Sequence, residues 1–442
     1  MTVALSFLNL WEFDTVTFLI CPLLLDIIKA MRTYRNLVTL VLILLPLLLT
    51  GLIRLAPRAI AVSQADEKST QYLSEGVWTL AAEKLNLILT MEKWRSDAWE
   101  YLGQAEFEQN HYEQAVNAFE KARLNAELTS TDLLRLSEAY MQTHRQAEAQ
   151  SLWREISTGA PLEFDPLLTI ASNQRDIGDL EGSIATLSKA HALYPQNLQV
   201  NYLLGIQLAV LQPQDALQYL IVAESLDGAK GALSKDLIDV ITEPDQNPIY
   251  RTLRIGQLFS SAGEWSLATA AFERVTKADG SIAFAWALLG EAQQHVNQVG
   301  LEALQKSLQL DPQSDVANAL MALYYRRQNK PELALPYLQK AVQLNANEPA
   351  WLIELGKTLA ESGDMGSALE TLKKATQVAP EDPLTWQSLA EFCFSRNVEI
   401  TPTGLNAARK ALSLNPGDPA LQDLMGMGLM INGDLDSAER FL

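Results

Sequence analysis

The sequence predicts an all-α protein, a right-handed superhelical solenoid of antiparallel helix pairs preceded by one transmembrane helix. Three observations support this prediction. The chain has 442 residues, which is too long for one ordinary compact domain unless the domain is built from repeats. Small residues recur with a period near 34, which fits two helices and two short turns. An uncharged run of 18 residues lies near the N-terminus.

The uncharged run predicts where the chain would cross a membrane. It lies between Arg35 and Arg54, and a helix needs roughly 17–25 apolar residues to span a bilayer. We therefore expect a transmembrane helix or uncleaved signal anchor over 36–53, after a leader over 1–35 and before a linker over 54–73.

The flanks of this run predict its orientation. Met31 opens a short basic flank and predicts a second start of translation, so that 1–30 would lie upstream of the natural start. Arg54 and Arg58 follow the run and nearly balance that flank. We expect a single-pass membrane protein with its repeats outside the cytoplasm, because a basic flank precedes the span. Cleavage after Ala61 or Ala65 is the alternative.

The repeat itself is defined by one small or apolar residue in the last turn of each unit. The spacings between these residues are 34, 34, 33, 52, 32, 34, 34 and 36. Further small residues lie near the middle of both helices of each unit, where two helices can approach closely only if side chains are small. The last-turn residues are Ala122, Ile156, Ala190, Ala223, Val275, Ser307, Ala341, Ala375 and Ala411.

The spacing of 52 divides the predicted array. It is about 18 residues longer than the common period, so we expect a first half of the array over 74–227, an insertion or hinge over 228–248 and a second half over 249–442. The last unit stops midway through its second helix, which predicts a fragment or an end that pairs with something else. Nine complete units are expected, starting near 96, 130, 164, 198, 249, 283, 315, 349 and 383.

Three stretches resemble the tetratricopeptide repeat family. They are "AWALLGEAQ" (285–293), "DLEGSIATLSKAHALYPQN" (179–197) and "GDMGSALETLKKATQVAPEDP" (363–383). The resemblance covers about 96–442 and implies that the first helices line a concave groove that binds peptide segments of partner proteins.

The groove prediction rests on first-helix positions that point away from the second helix. The family's chaperone-tail clamp needs a set of lysines and asparagines, which this chain lacks, so we expect a mixed polar and aromatic groove. The candidate residues are Glu100, Gln104, Tyr202, Ile206, Gln257, Glu291, Asn318, Tyr325, Lys357, Gln387 and Phe394.

Composition and motifs exclude several other functions. Residues 66–442 hold 29 basic and 50 acidic side chains, and such an acidic body repels nucleic-acid phosphates. Cys21 and Cys393 are far apart, and the four histidines lie in different units, so neither a disulfide framework nor a zinc site is indicated. We expect no enzyme activity, no cofactor, no metal and no small-molecule substrate.

The leading prediction is a membrane-tethered scaffold that binds proteins through its groove, with envelope assembly as one expected role. A tether raises local concentration, so weak contacts suffice. Two alternatives remain open at this point. The repeats are an accessory or regulatory region of a larger protein or enzyme, or they form a secreted periplasmic binding module.

Overall fold

The computed structural model describes Leu45, Thr50 and residues 58–158, 164–244 and 247–441. Within these ranges every regular element is a helix and no strand forms, which confirms the all-α prediction. The chain divides into two compact units, Met1–Leu162 and Glu163–Leu442, which are described in turn.

The membrane prediction needs correction. The predicted span over 36–53 lies outside the described residues except for Leu45 and Thr50. In the part of the chain that the structure does describe, no helix combines the length and the apolar character needed to cross a bilayer. The longest repeat helices, such as Leu198–Leu211, have 14 residues and therefore extend about 21 Å, against about 30 Å of hydrocarbon. A single-pass membrane protein with extracytoplasmic repeats is not supported.

The described part of the first unit includes a helical stretch over 58–74. This differs from the predicted linker over 54–73, because Val62 and Ala65 are buried in one core with Leu85 of the following helix. Sequence reasoning missed this helix because its buried residues are few and small. The helices that follow are α1 (Trp78–Met91), α2 (Ser96–Glu108), α3 (Tyr112–Arg123), α4 (Ser130–Gln142) and α5 (Gln146–Thr158).

The second unit continues as helix pairs joined by short turns. Its helices are α6 (Phe164–Asp176), α7 (Leu180–Leu193), α8 (Leu198–Leu211), α9 (Pro213–Ala223), α10 (Ala229–Thr242), α11 (Pro248–Ser261), α12 (Trp265–Ala278), α13 (Ala283–His295), α14 (Leu301–Leu310), α15 (Asp315–Arg327), α16 (Pro331–Leu344), α17 (Pro349–Glu361), α18 (Met365–Val378), α19 (Pro383–Ser395), α20 (Leu405–Leu414), α21 (Pro419–Ile431) and α22 (Leu435–Ala438).

Glycine in the first helix of a pair lets the second helix approach. A β-carbon added at Gly356 would lie 2.6 Å from Cγ of Leu372 on α18. Leu372 itself is completely buried, and burial of such a side chain contributes roughly 1.5–3 kcal/mol. The small residues predicted as crossing points therefore set the distance between paired helices.

The predicted insertion forms helix α10, which packs into the core of the second unit. Leu237 and Ile241 are almost fully buried and share one hydrophobic cluster with α8 and α11. The first turn of this helix is closely packed against the preceding backbone, since a β-carbon on Gly231 would lie 1.9 Å from the carbonyl oxygen of Leu226. Such packing does not favour a hinge over 228–248, and that role stays a prediction.

The 36-residue spacing has a local cause. Between α19 and α20 the chain forms a short π-helix, Ile400–Gly404, which takes up extra residues without displacing the helices on either side. Glu399, which precedes it, has a φ of 43°. Its carboxylate accepts hydrogen bonds from Lys373 and Thr403, and these contacts hold the backbone in the left-handed region.

The apolar side chains of the last described first helix, α21, are mostly covered. Met425 and Leu429 are buried with residues of α19 and α20. Met430 is exposed, at 43%. This helix is therefore covered by the preceding pair and by α22.

Candidate functional site

A band of charged side chains crosses three successive first helices of the second unit, α13, α15 and α17. We call it the charged ladder. All but Lys357 take part in ion pairs from one helix to the next, and every member keeps between 15% and 39% of its side-chain surface exposed. They are Glu291, Arg326, Arg327, Glu354, Lys357 and Glu361.

Two adjacent arginines join the three helices in opposite directions. Arg327 reaches back to α13 and donates hydrogen bonds of 2.5 and 2.8 Å to the carboxylate of Glu291. Arg326 reaches forward to α17, where it donates bonds of 2.6 and 3.0 Å to Glu361 and also pairs with Glu354. Bidentate geometry of this kind fixes both partners more firmly than a single contact.

The repeat places these side chains on one face. Gly290 on α13 and Gly356 on α17 face their second helices. The next residue along an α-helix is rotated by about 100°. Glu291 and Lys357 therefore project beside the helix pair rather than into it, and the ammonium nitrogen of Lys357 lies 3.8 Å from the carboxylate of Glu354.

The two arginines of the ladder are held in the ionised form by their partners. Burial would lower the pKa of Arg326, but its hydrogen bond to Glu361 and the charge of Glu354 raise it overall. The pKa of Arg327 is raised chiefly by its hydrogen bonds with Glu291. Both arginines therefore stay charged and paired at any physiological pH.

An aromatic stack borders the ladder on the side of α12. The rings of Trp265 and His295 are nearly parallel, with centroids 3.7 Å apart. His295 Nε2 also lies 3.1 Å from a carboxylate oxygen of Glu291. The ladder therefore ends in a flat aromatic surface, which suits contact with a planar or apolar group.

Several predicted groove residues lie on or near the ladder. Glu291 and Lys357 belong to it. Gln387 lies on the next first helix, α19, and donates a hydrogen bond of 2.8 Å to Glu391. Gln257, on α11, is exposed, whereas Glu291, Lys357 and Gln387 are half-buried. That these four residues line a groove stays a prediction.

Tyr202 and Ile206 are buried, at 3% and 0% exposure, so they cannot line an open groove. The reason lies in their helix: α8 is apolar on every side and is surrounded by neighbours, which include α10 and α12. An apolar circumference is typical of a buried helix, so "LQVNYLLGIQLAVL" carried a signal that the prediction overlooked.

Asn318 and Phe394 are also buried, at 5% and 4%. The amide of Asn318 donates a hydrogen bond of 2.7 Å to the carbonyl of Ser314 and so stabilises the start of its own helix. The ring of Phe394 packs between the π-helix Ile400–Gly404 and α21. Phe394 therefore serves the fold, while Asn318, although buried, also lines the open hollow beside Tyr325.

Tyr325 lies away from the ladder, beside the second helix of its own pair. Its ring stacks near that of Tyr337, with centroids 5.8 Å apart. The two tyrosines border an open hollow of about 560 Å³, which is also lined by Leu333, Pro336 and Lys340. Tyr325 therefore belongs to a separate surface.

Glu100 and Gln104 lie in the first unit, where both face Asp132 of α4. Gln104 donates a hydrogen bond of 2.9 Å to the Asp132 carboxylate, and Arg135 donates another of 3.0 Å. Burial and the neighbouring carboxylate of Asp132 raise the pKa of Glu100 to about 7. These two predicted residues form a polar cluster of their own.

Sequence reasoning missed most of the ladder, namely Arg326, Arg327, Glu354 and Glu361. A signal existed, because opposite charges separated by about one repeat fall on neighbouring first helices. Arg327 follows Glu291 by 36 residues, and Glu361 follows Arg326 by 35.

The described ranges contain no group of three or more histidine, cysteine, aspartate or glutamate side chains placed to hold a metal ion.

Comparison with known proteins agrees with the repeat. The family model described as tetratricopeptide repeat matches residues 325–391. This range contains parts of α15 and α19 and the whole of α16, α17 and α18. No curated protein sequence matches the chain.

Solved structures with helix repeats are similar to parts of the chain. A thermophilic tetratricopeptide repeat protein of Thermus thermophilus is 22% identical, covers 41% of this chain and 99% of its own, and has a TM-score of 0.37. PilW, a type IV pilus biogenesis factor, is 19% identical and covers 44% of this chain and 91% of its own, with a TM-score of 0.40.

A longer match is the APC/C hetero-tetramer Cut9–Hcn1, which covers 88% of this chain and 98% of its own at 14% identity and a TM-score of 0.36. Similarities of this size carry no argument about function. Over 325–391 the family match and the observed helix pairs agree on the tetratricopeptide repeat as the repeating unit.

Proposed function

We propose that this protein is a binding scaffold that holds a segment of a partner protein along the first helices α13, α15, α17 and α19. The observation that carries the proposal is the charged ladder, in which Arg326 and Arg327 tie three successive first helices into one partly exposed surface. Because these side chains are already held in place, little rotamer freedom is lost when a partner binds.

The ladder also indicates what kind of segment would fit. Each arginine is paired within the chain, so a partner has no free charge of either sign to neutralise there. Carboxylate oxygens and the amide of Gln387 remain able to form further hydrogen bonds. A segment with hydrogen-bonding side chains and an apolar anchor near Trp265 would match this surface.

Site-specific photo-crosslinking tests the proposal. A photoreactive amino acid is placed at Lys357 or Gln387 on the proposed surface, and at the exposed Lys374 on second helix α18 as the matched control. We expect both first-helix positions to give the same crosslinked partner in cells of the native host, and the control position to give none.

A second arm connects the crosslink to the ladder. Substitution Arg326→Glu places a negative charge among carboxylates and should abolish the crosslink from Gln387. Circular dichroism checks that the helices remain. Equal crosslinking from Lys374, or a crosslink that survives Arg326→Glu in a folded chain, would show that the ladder is not the binding surface.

The remaining functional predictions concern the setting of the scaffold. Envelope assembly, service as an accessory region of a larger protein, and secretion as a periplasmic module all stay predictions from the sequence. No contact among the described residues favours one of them over the others.

A further inference from the structure

The first unit carries an open hollow of about 420 Å³ between α1, α2 and α3. Two lysines line it and no acidic side chain does, although the chain as a whole carries a formal charge of −19. The lining residues are Asn86, Leu89, Thr90, Lys93, Trp99, Lys121, Leu124 and Asn125.

The lysine of α3 is held in place by the tryptophan of α2. The indole nitrogen of Trp99 donates a hydrogen bond of 2.9 Å to the carbonyl oxygen of Lys93, which fixes the ring. The ammonium group of Lys121 lies 4.2 Å from the centre of that ring, a distance at which cation and ring attract each other. Among the described residues neither Lys93 nor Lys121 has an ion-pair partner.

The helix pair α19 and α20 contains the same tryptophan and lysine together with an acidic partner for the lysine. Trp386 of α19 donates a hydrogen bond of 2.8 Å to the carbonyl of Pro380, as Trp99 does to Lys93. At the position that matches Lys121, Lys410 lies 3.4 Å from the carboxylate of Glu381. The lysine of that pair is therefore neutralised within the chain.

The first unit lacks this internal carboxylate. The residue five positions before Trp386 is Glu381, whereas the residue five positions before Trp99 is Trp94. Trp94 is 69% exposed, and Leu124 at the edge of the hollow is 78% exposed. The acidic partner is thus replaced by an apolar side chain, and a second lysine, Lys93, stands beside it.

We propose that this hollow binds an acidic segment of a partner protein, whose aspartate or glutamate side chain lies between Lys93 and Lys121. The partner's carboxylate would take the place that Glu381 occupies for Lys410. Trp94 and Leu124 would cover a large apolar residue next to that carboxylate, since exposed aromatic and aliphatic groups commonly anchor such contacts. This site lies on other helices than the charged ladder and goes beyond the scaffold proposed above.

The test uses the full chain labelled with ¹⁵N in its tryptophan indoles and a pentapeptide as probe. The probe has aspartate between two leucines and blocked ends, so that it carries no terminal carboxylate. Its twin has asparagine instead. We expect the aspartate peptide at millimolar concentration to shift the indole signals of Trp94 and Trp99 but not that of Trp386, and the asparagine peptide to bind at least about fivefold more weakly.

Three variants connect the binding to the two lysines. Lys93→Gln with Lys121→Gln should weaken binding about tenfold or more. Lys410→Gln is the matched control and should leave it unchanged. Trp94→Glu should supply the missing internal partner and abolish the shift of Trp99 without removing either lysine.

The proposal fails if the signals of Trp94 and Trp99 do not move with the aspartate peptide, or if the asparagine peptide moves them equally. It fails also if binding survives both Trp94→Glu and the double lysine substitution. Unchanged signals of the other tryptophans show that each variant is folded, so a negative result concerns the hollow itself.

Discussion

The ring of Phe394 lies so close to Gly428 that a β-carbon at that position would stand 2.3 Å from the ring's Cζ atom. On another side of the ring, a β-carbon at Gly404 would stand 2.7 Å from Cε1. The ring therefore occupies a slot between two glycines. One aromatic side chain thus joins α19 to both the π-helix Ile400–Gly404 and α21.

Substitution Gly428→Ala should destabilise the last described pairs by about 1–3 kcal/mol, because the ring of Phe394 has no space to retreat. Gly417→Ala is the control, since nothing lies within 4 Å of a β-carbon there. Hydrogen exchange of α19 and α21 measures the effect. Faster exchange in the first variant alone is expected, and its relief by Phe394→Leu would confirm the cause.

The bridge between Arg326 and Glu361 should couple α15 to α17. We expect a double-mutant cycle with Arg326→Gln and Glu361→Gln to give a coupling energy of about 0.5–1 kcal/mol. The coupling should fall at high salt, because the carboxylate is 38% exposed. Chemical denaturation of the four proteins measures it. A coupling of zero at low salt would mean that the bridge does not stabilise the array.

The first unit should lose stability as pH rises toward neutrality. Burial and Asp132 raise the pKa of Glu100 from 4.5 to about 7, so the folded chain holds this proton more tightly than the unfolded chain does. Stability is therefore greatest below the unfolded pKa and falls between about 4.5 and 7. Asp97 and Asp132 face Glu100, while Arg135 and Gln104 contact Asp132.

Substitution Glu100→Gln should remove this dependence. We expect the thermal midpoint at pH 8 to rise by about 1–2 °C, and the difference from the parent chain to shrink at pH 5. Glu113→Gln, at an exposed position of α3, is the control. An equal gain at both pH values would show that the effect does not come from the proton on Glu100.

Cys393 should be nearly unreactive in the folded chain. It is fully buried, and burial raises the pKa of its thiol to about 11. In a Cys21→Ser background at pH 8, alkylation by iodoacetamide should be about 100-fold slower than in denaturant. Mass spectrometry over time measures the two rates. Similar rates would contradict the burial of this residue.

The helix pairs could be predicted from the sequence because their signal is local and repeated. Gly290 and Gly356, for example, mark the closest approach of two helices, and each unit repeats that mark at a fixed distance. That the next residues, Glu291 and Lys357, project beside the helix pair could be predicted for the same reason.

The partners of these side chains could not be predicted. Whether Arg326 meets a carboxylate on the helix before or after its own depends on how adjacent pairs are rotated, and no local pattern records that angle. The groove prediction was wrong for Tyr202 and Ile206 for another reason. It used only their position in the repeat. Their burial follows instead from the apolar circumference of α8 and from the packing of α10 and α12 against it.

Arg326 and Arg327 also have a mechanical consequence. Helix pairs stacked in a row behave as a spring whose softest joint yields first under load. Arg327 pairs with the first helix before its own and Arg326 pairs with the first helix after it. Bending between α13, α15 and α17 would therefore have to break these ion pairs, so the three helices should bend less than unpaired neighbours. Tension along the second unit would therefore be taken up by joints elsewhere, and a segment bound on these three helices would keep its geometry while the rest of the unit flexes.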